Sequence, residues 1–218
     1  MLIKILVAVF VLWRLYRFVR RKRAPSLPSR KHWALALAQP FVDATQFAGF
    51  ASPAADAVNE ATRAHFRAQL LHQMGLRIDA SDEDVRAHLA GTFESHWYRA
   101  DINGLLPTDE PRAAIAFACA RMAFFARIVM LLQWVEPDIA WRVLLLNAQR
   151  AQDCFTSWHD FGQAFIEGRR QWVAAFRADP FGQAFDDGAL AGWLNKHDAW
   201  RGLPWPGLAA FSPEPAAA

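Results

Sequence analysis

From Ala113 to Trp134 the chain is apolar nearly all round, bounded by Pro111 on one side and by Glu136 and Pro137 on the other. A run of this length is too long for a strand. A helix without a polar face has to be wrapped by others, so this segment dictates a helical bundle with a buried axis. It also has the length of a membrane span, but Arg112, Arg121 and Arg127 recur along it and assign it to a protein core instead. No alternating strand pattern occurs anywhere in the chain. The fold class is therefore all-α: a compact multi-helix domain, preceded by an N-terminal hydrophobic anchor helix.

The segments around this axis read as helices with recognisable ends. Trp33 to Ala38 is a short apolar helix ended by Pro40, and 54–74 is a helix that stops at Gly75. Ser81 with Asp84 three residues on forms a capping box that opens a helix to about Trp97. Asp109 caps the central helix with Pro111 in its first turn. Glu136 and Pro137 start a helix to about Cys154, Thr156 or Ser157 caps one from Trp158 to about Arg177, and a weaker one covers 184–196. Residues 203–218, with four prolines, form an irregular tail.

The N-terminus is of a different kind. Ile5, Leu6, Val7, Val9, Phe10, Val11, Leu12 and Trp13 belong to an uncharged run that meets a basic stop at Arg20, Arg21, Lys22 and Arg23. A span needs about 20 mostly apolar residues. Lys4, Arg14 and Arg17 interrupt this one, so their side chains have to snorkel to the headgroups. A cleaved signal peptide does not fit, because the basic cluster follows the apolar run and no small-residue cleavage site appears. An interfacial helix stays open beside the spanning anchor, since Arg14, Arg17 and Arg21 share one helical face. The positive-inside tendency places the following domain in the cytoplasm, on a single pass through the inner membrane. The expected organisation is an anchor over 1–23, a linker over 24–32, a helical domain over 33–202 and the tail.

Composition sharpens this division. The net charge is +3, but seven of the 24 basic residues lie in the first 23 positions and the first acid is Asp43. The remainder holds 17 basic against 21 acidic residues, a net of −4. Nucleic acid is thereby excluded as an expected partner, since the domain lacks a basic stripe. Cys119 and Cys154 are the only cysteines, which suits buried thiols in a reducing compartment.

The densest chemical signal is Ser157 to Trp172, SWHDFGQAFIEGRRQW. Trp158, Phe161, Phe165, Gly168 and Trp172 recur at steps of three or four and form one face, with Gly168 admitting a neighbouring helix. His159 and Glu167 are the catalytic candidates, and Arg121, Arg127 and Arg169 the candidates for binding an anionic ligand. His159 and Asp160 are adjacent, and neighbours on a helix do not face each other. No zinc spacing, phosphate loop or nucleophile elbow is present, so neither metal nor cofactor is expected. Only Trp13 of the ten tryptophans lies in the anchor; exposed ones among the rest are candidate anchors for a protein partner.

The block from 113 to 172 carries Arg121 and Arg127 six residues apart, then Ala140-Trp141, Ser157-Trp158, Phe161-Gly162, Gly168-Arg169 and Trp172. In these residues it resembles the bacterial family known as domain of unknown function 1266, the YbeU/YbeR-like proteins. The resemblance extends more faintly from Trp33 and leaves the anchor outside. Two departures stand out: the family tends to a Trp-Asp pair where this chain has Phe117-Ala118, and to a Gly-Tyr pair where it has Gln133-Trp134. The first removes the natural internal partner of Arg121. The resemblance implies a helical domain with no established activity.

The expected function is a membrane-anchored, cytoplasm-facing binding or scaffold module with a protein partner. One alternative is an enzyme or anionic-ligand binder with a cleft of Arg121, Arg127, His159, Glu167 and Arg169; another is an effector-associated or immunity-type protein. Convergence of those charged groups in one pocket separates the enzyme from the module.

Overall fold

The long apolar run forms the axis of the fold, as a computed structural model of the chain shows. The structure describes residues 29–47, 49–52, 59–95, 105–176 and 185–205. Among these, every regular element is a helix: α1 (Ser29–Ala36), α2 (Gln39–Thr45), α3 (Glu60–Gln73), α4 (Asp82–Thr92), α5 (Pro111–Leu131), α6 (Pro137–Cys154), α7 (Trp158–Phe176), α8 (Asp187–Lys196) and α9 (Asp198–Gly202). The all-α class holds. The expected anchor and basic stop lie outside the described residues.

Helix α5 is buried from Ala113 to Leu131 except at Ile115 and Arg121. It is the one described helix long and apolar enough to cross a membrane, and 89% of its most apolar window is enclosed by protein. Helices α7 and α6 lie along it, with α1 and α2 completing the wrapping. Its ends show why it stops where it does. Pro111 takes the first helical position, so the N-cap falls on Glu110, whose carboxylate accepts from Arg112 N at 3.4 Å. Asp109, the expected cap, is one residue too early and instead accepts from Leu106 N at 2.8 Å. At the other end Gln133 turns left-handed at φ 61° and Trp134 N–H returns to Val129 O at 2.9 Å. Arg63 of α3 and Arg86 of α4 donate to the carbonyls of Leu132 and Gln133, at 3.1 and 3.2 Å. Two cations thus sit on the negative end of the helix dipole and tie α3 and α4 to the axis.

Left-handed backbone strains any side chain with a Cβ. Gln133 is exposed, so nothing else is lost with its side chain. Gln133→Gly should therefore stabilise the protein by about 0.5–1 kcal/mol, seen as a rise of about 2 °C in thermal midpoint for a chain of this size.

Several other boundaries follow their residues. Ser81 and Asp84 form the reciprocal capping box at 3.0 and 3.1 Å, and Gly75 ends the α3 turn at φ 67°. Helix α3 is capped by Asn59, whose side chain accepts from Thr62 N; residues 54–58, expected as its start, are not among those described. Pro40 does not end the first helix. The chain turns at 37–38 and Pro40 sits in the first turn of α2, where its missing N–H leaves no bond unmade. Helix α1 starts at Ser29, inside the expected linker.

Of the expected tail at 203–218, residues 203–205 are described. Leu203 to Trp205 is irregular but stapled into the core by indoles: Trp33 Nε1 donates to Pro204 O at 3.2 Å, Trp158 Nε1 to Leu203 O at 2.7 Å and Trp205 Nε1 to Phe155 O at 2.8 Å. Trp200 Nε1 reaches Ala36 O at 2.7 Å. Rings of Trp33, Trp158, Trp200 and Trp205 stand with centroids 4.8–5.1 Å apart. Aromatic bodies fill the core while each N–H finds a carbonyl, as buried indoles require.

Candidate functional site

The residues singled out for chemistry are distributed by the fold rather than gathered. Arg127, 3% exposed, points from α5 into the turn at 50–52. Its Nε donates to Phe50 O at 2.9 Å, its Nη2 to Ser52 O, and its guanidinium lies 5.8 Å from the Trp141 ring. Burial lowers its pKa to about 10, which leaves it protonated at neutral pH. It is a fork on two main-chain carbonyls. Arg121 is half-buried on a different face of α5, in a shallow dent with Gln73, Met122 and Phe125. Arg169 is 5% exposed, with its guanidinium 4.5 Å from the Phe185 ring.

Helix α7 separates its candidates in the same way. Ser157 is the N-cap, its Oγ accepting from Asp160 N at 3.0 Å. Asp160 answers by accepting from Thr156 N at 2.9 Å and from Arg112 of α5. Arg112 also donates to Cys154 O at 3.0 Å and lies over Phe155, so one guanidinium clamps the end of α6, the link and the start of α7. His159 is exposed beside this clamp, and Asp160 is turned to Arg112 and Thr156 rather than to the imidazole. Glu167 forms a surface ion pair with Arg170 one turn on. Trp158, Phe161 and Phe165 are core, Gly162 packs under Leu190 and Trp200, and Trp172 is half-buried against Phe117. The motif is thus mainly architectural.

The Arg112 guanidinium holds the Asp160 carboxyl below the usual carboxylate range, with help from Thr156. A depressed carboxylate contributes stability that is complete above its unfolded pKa and lost as pH falls through the folded one. Asp160→Asn should cost about 1–2 kcal/mol at pH 7, from the cap and a partly exposed ion pair. It should also flatten the loss of stability below about pH 4, in denaturant titrations across the acid range.

Of two clefts bounded by described residues, one holds Arg121 and the other none of the five candidates. The second is the larger, about 650 Å³, between the end of α4 and the outer face of α6. Met122 and Val143 are in its floor, Asn147 is 6% exposed within it, and Leu146 stands 66% exposed beside them. Arg142 and Glu94 form an ion pair at its edge, Nε to Oε1 2.8 Å. Sequence reasoning missed this cleft. The available signal was Leu146, an apolar interruption in the exposed stripe of Asp138, Arg142, Gln149 and Asp153.

Other expected features are placed as follows. Both cysteines are free, with burial pushing the Cys119 thiol up to about 12. None of the eight described tryptophans is exposed, so none of these is the surface anchor for a partner that the sequence suggested.

Among known proteins, a family model described as "Protein of unknown function (DUF1266)" matches residues 35–205. No curated protein and no solved structure matches the chain.

Proposed function

Because the chain belongs to the DUF1266 family, whose function is unknown, we propose a role from its own residues: a helical binding or scaffold module held at the cytoplasmic face of a membrane. The observation that carries the tether is the charge division. An apolar run ends in four consecutive cations at 20–23, ahead of a remainder with a net of −4. Two free cysteines suit a reducing compartment. A bacterial inner membrane, and kinship with the YbeU/YbeR-like proteins, are part of the same proposal and come from the sequence resemblance. A binding role is favoured over catalysis because Arg127, Asp160 and Glu167 already have main-chain or ion-pair partners that hold the fold. The partner surface then has to be found among exposed groups; among the described residues Leu146, Ile78 and Leu106 are the large apolar ones.

Cell fractionation of the full chain and of a chain beginning at Pro25 tests the tether. The full chain should sediment with membranes and resist alkaline carbonate, while the shorter one is soluble. Release of the full chain by carbonate would replace the span with an interfacial helix, and a soluble full chain would overturn the tether altogether.

A further inference from the structure

The cleft on α6 contains a carboxamide of which the fold uses one end. Asn147 is buried to 6% exposure, and its Nδ2 donates to Cys119 O at 2.8 Å. A main-chain carbonyl only accepts, so this bond fixes the orientation of the carboxamide. Oδ1 is the end left over in a side chain that lines the cleft, and no described group donates to it. It is not among the side-chain atoms sealed from solvent without a partner, so a donor on a ligand there takes the place of water.

The surroundings say what kind of molecule that is. Leu146, Val143 and Met122 give the middle of the cleft an apolar lining. Its charges cancel, Glu94 and Asp153 against Arg142 and Arg150, so a charged ligand gains nothing from the net field. The apolar stretch is a single patch about one helical turn long. A partner helix needs anchors over two turns or more, whereas about 650 Å³ is within the ordinary range for a small-molecule site.

We propose that this cleft binds a small neutral molecule with an apolar body and one hydrogen-bond donor, which the Asn147 Oδ1 accepts. The proposal deepens the binding-module reading and is independent of the tether, because it uses no residue before Glu94.

The test is equilibrium dialysis of the full chain in lipid nanodiscs, with empty nanodiscs subtracted. 2-Naphthol is the probe, 2-methoxynaphthalene its donor-free match and 2-naphthoate its charged match. Saturable binding of 2-naphthol is expected, about fivefold tighter than the ether, as one hydrogen bond supplies, and tighter than the carboxylate. Asn147→Leu should abolish the preference over the ether. Leu146→Trp, at an exposed position that leaves the core untouched, should fill the cleft and remove saturable binding of both. Absence of saturable binding, equal affinity for naphthol and ether, tighter binding of naphthoate, or indifference to Leu146→Trp would each overturn the proposal. Should Asn147→Leu fail to fold, the ether comparison and Leu146→Trp still decide. A soluble full chain in fractionation would remove the tether and leave this result standing.

Discussion

Gly168→Ala should destabilise the protein by about 3 kcal/mol or more, at the upper end of what overpacking a closed core costs. Helices α5 and α7 are in backbone-close contact here. A Cβ on residue 168 would stand 2.6 Å from the carbonyl carbon of Ala113, closer still to its oxygen, and 3.0 Å from Phe117 Cβ. The obstacle is main chain, which cannot move aside without displacing α5, the axis on which the other helices pack. Gly162→Ala is the internal comparison. Its Cβ would meet the end of the Leu190 side chain and, at 3.0 Å, the edge of the Trp200 ring. The leucine can rotate, so the expected cost is about 1 kcal/mol. Parallel urea titrations give the two values. Equal losses would show that contact at the α5–α7 crossing is less rigid than the geometry requires.

The second large effect belongs to Arg127. Arg127→Met should cost about 2–4 kcal/mol, because it leaves two inward-facing carbonyls, Phe50 O and Ser52 O, without their donor. Methionine fills much of the same volume, so the loss reports the hydrogen bonds rather than a cavity. Arg127→Lys should recover less than half of it, because a single ammonium cannot reproduce a planar fork on two acceptors. Differential scanning calorimetry distinguishes these. Full rescue by lysine would mean that charge over Trp141, not the fork, is the stabilising element.

Arg127 also marks the limit of what the sequence could say. Its partners lie 75 and 77 residues earlier, in a turn with no signal beyond Gly49, and nothing in the spacing of Arg121 and Arg127 points there. Local chemistry was far more legible. The Ser81–Asp84 box, Pro137 at the start of α6 and Ser157 at the start of α7 each announce themselves within four residues, because caps are satisfied locally. Helix α2 went unread because Pro40 marks a helix start as readily as a stop. The cleft was invisible for a third reason. It arises where α4 and α6 come together through packing on α5, and only Leu146 betrays it in the linear pattern.

The indole staples have a consequence for how the chain is made. Trp33 in α1 finds its ring neighbours at Trp158 and Trp205, and α1 receives the Trp200 indole at Ala36 O. Helix α1 therefore has to wait for residues 158–205 before its Trp33 ring is covered. Contacts of such sequence separation form late and slow folding. Synthesis must run to Trp205 before the domain can close, and a chain cut short of it would carry an exposed tryptophan at its beginning rather than at its end.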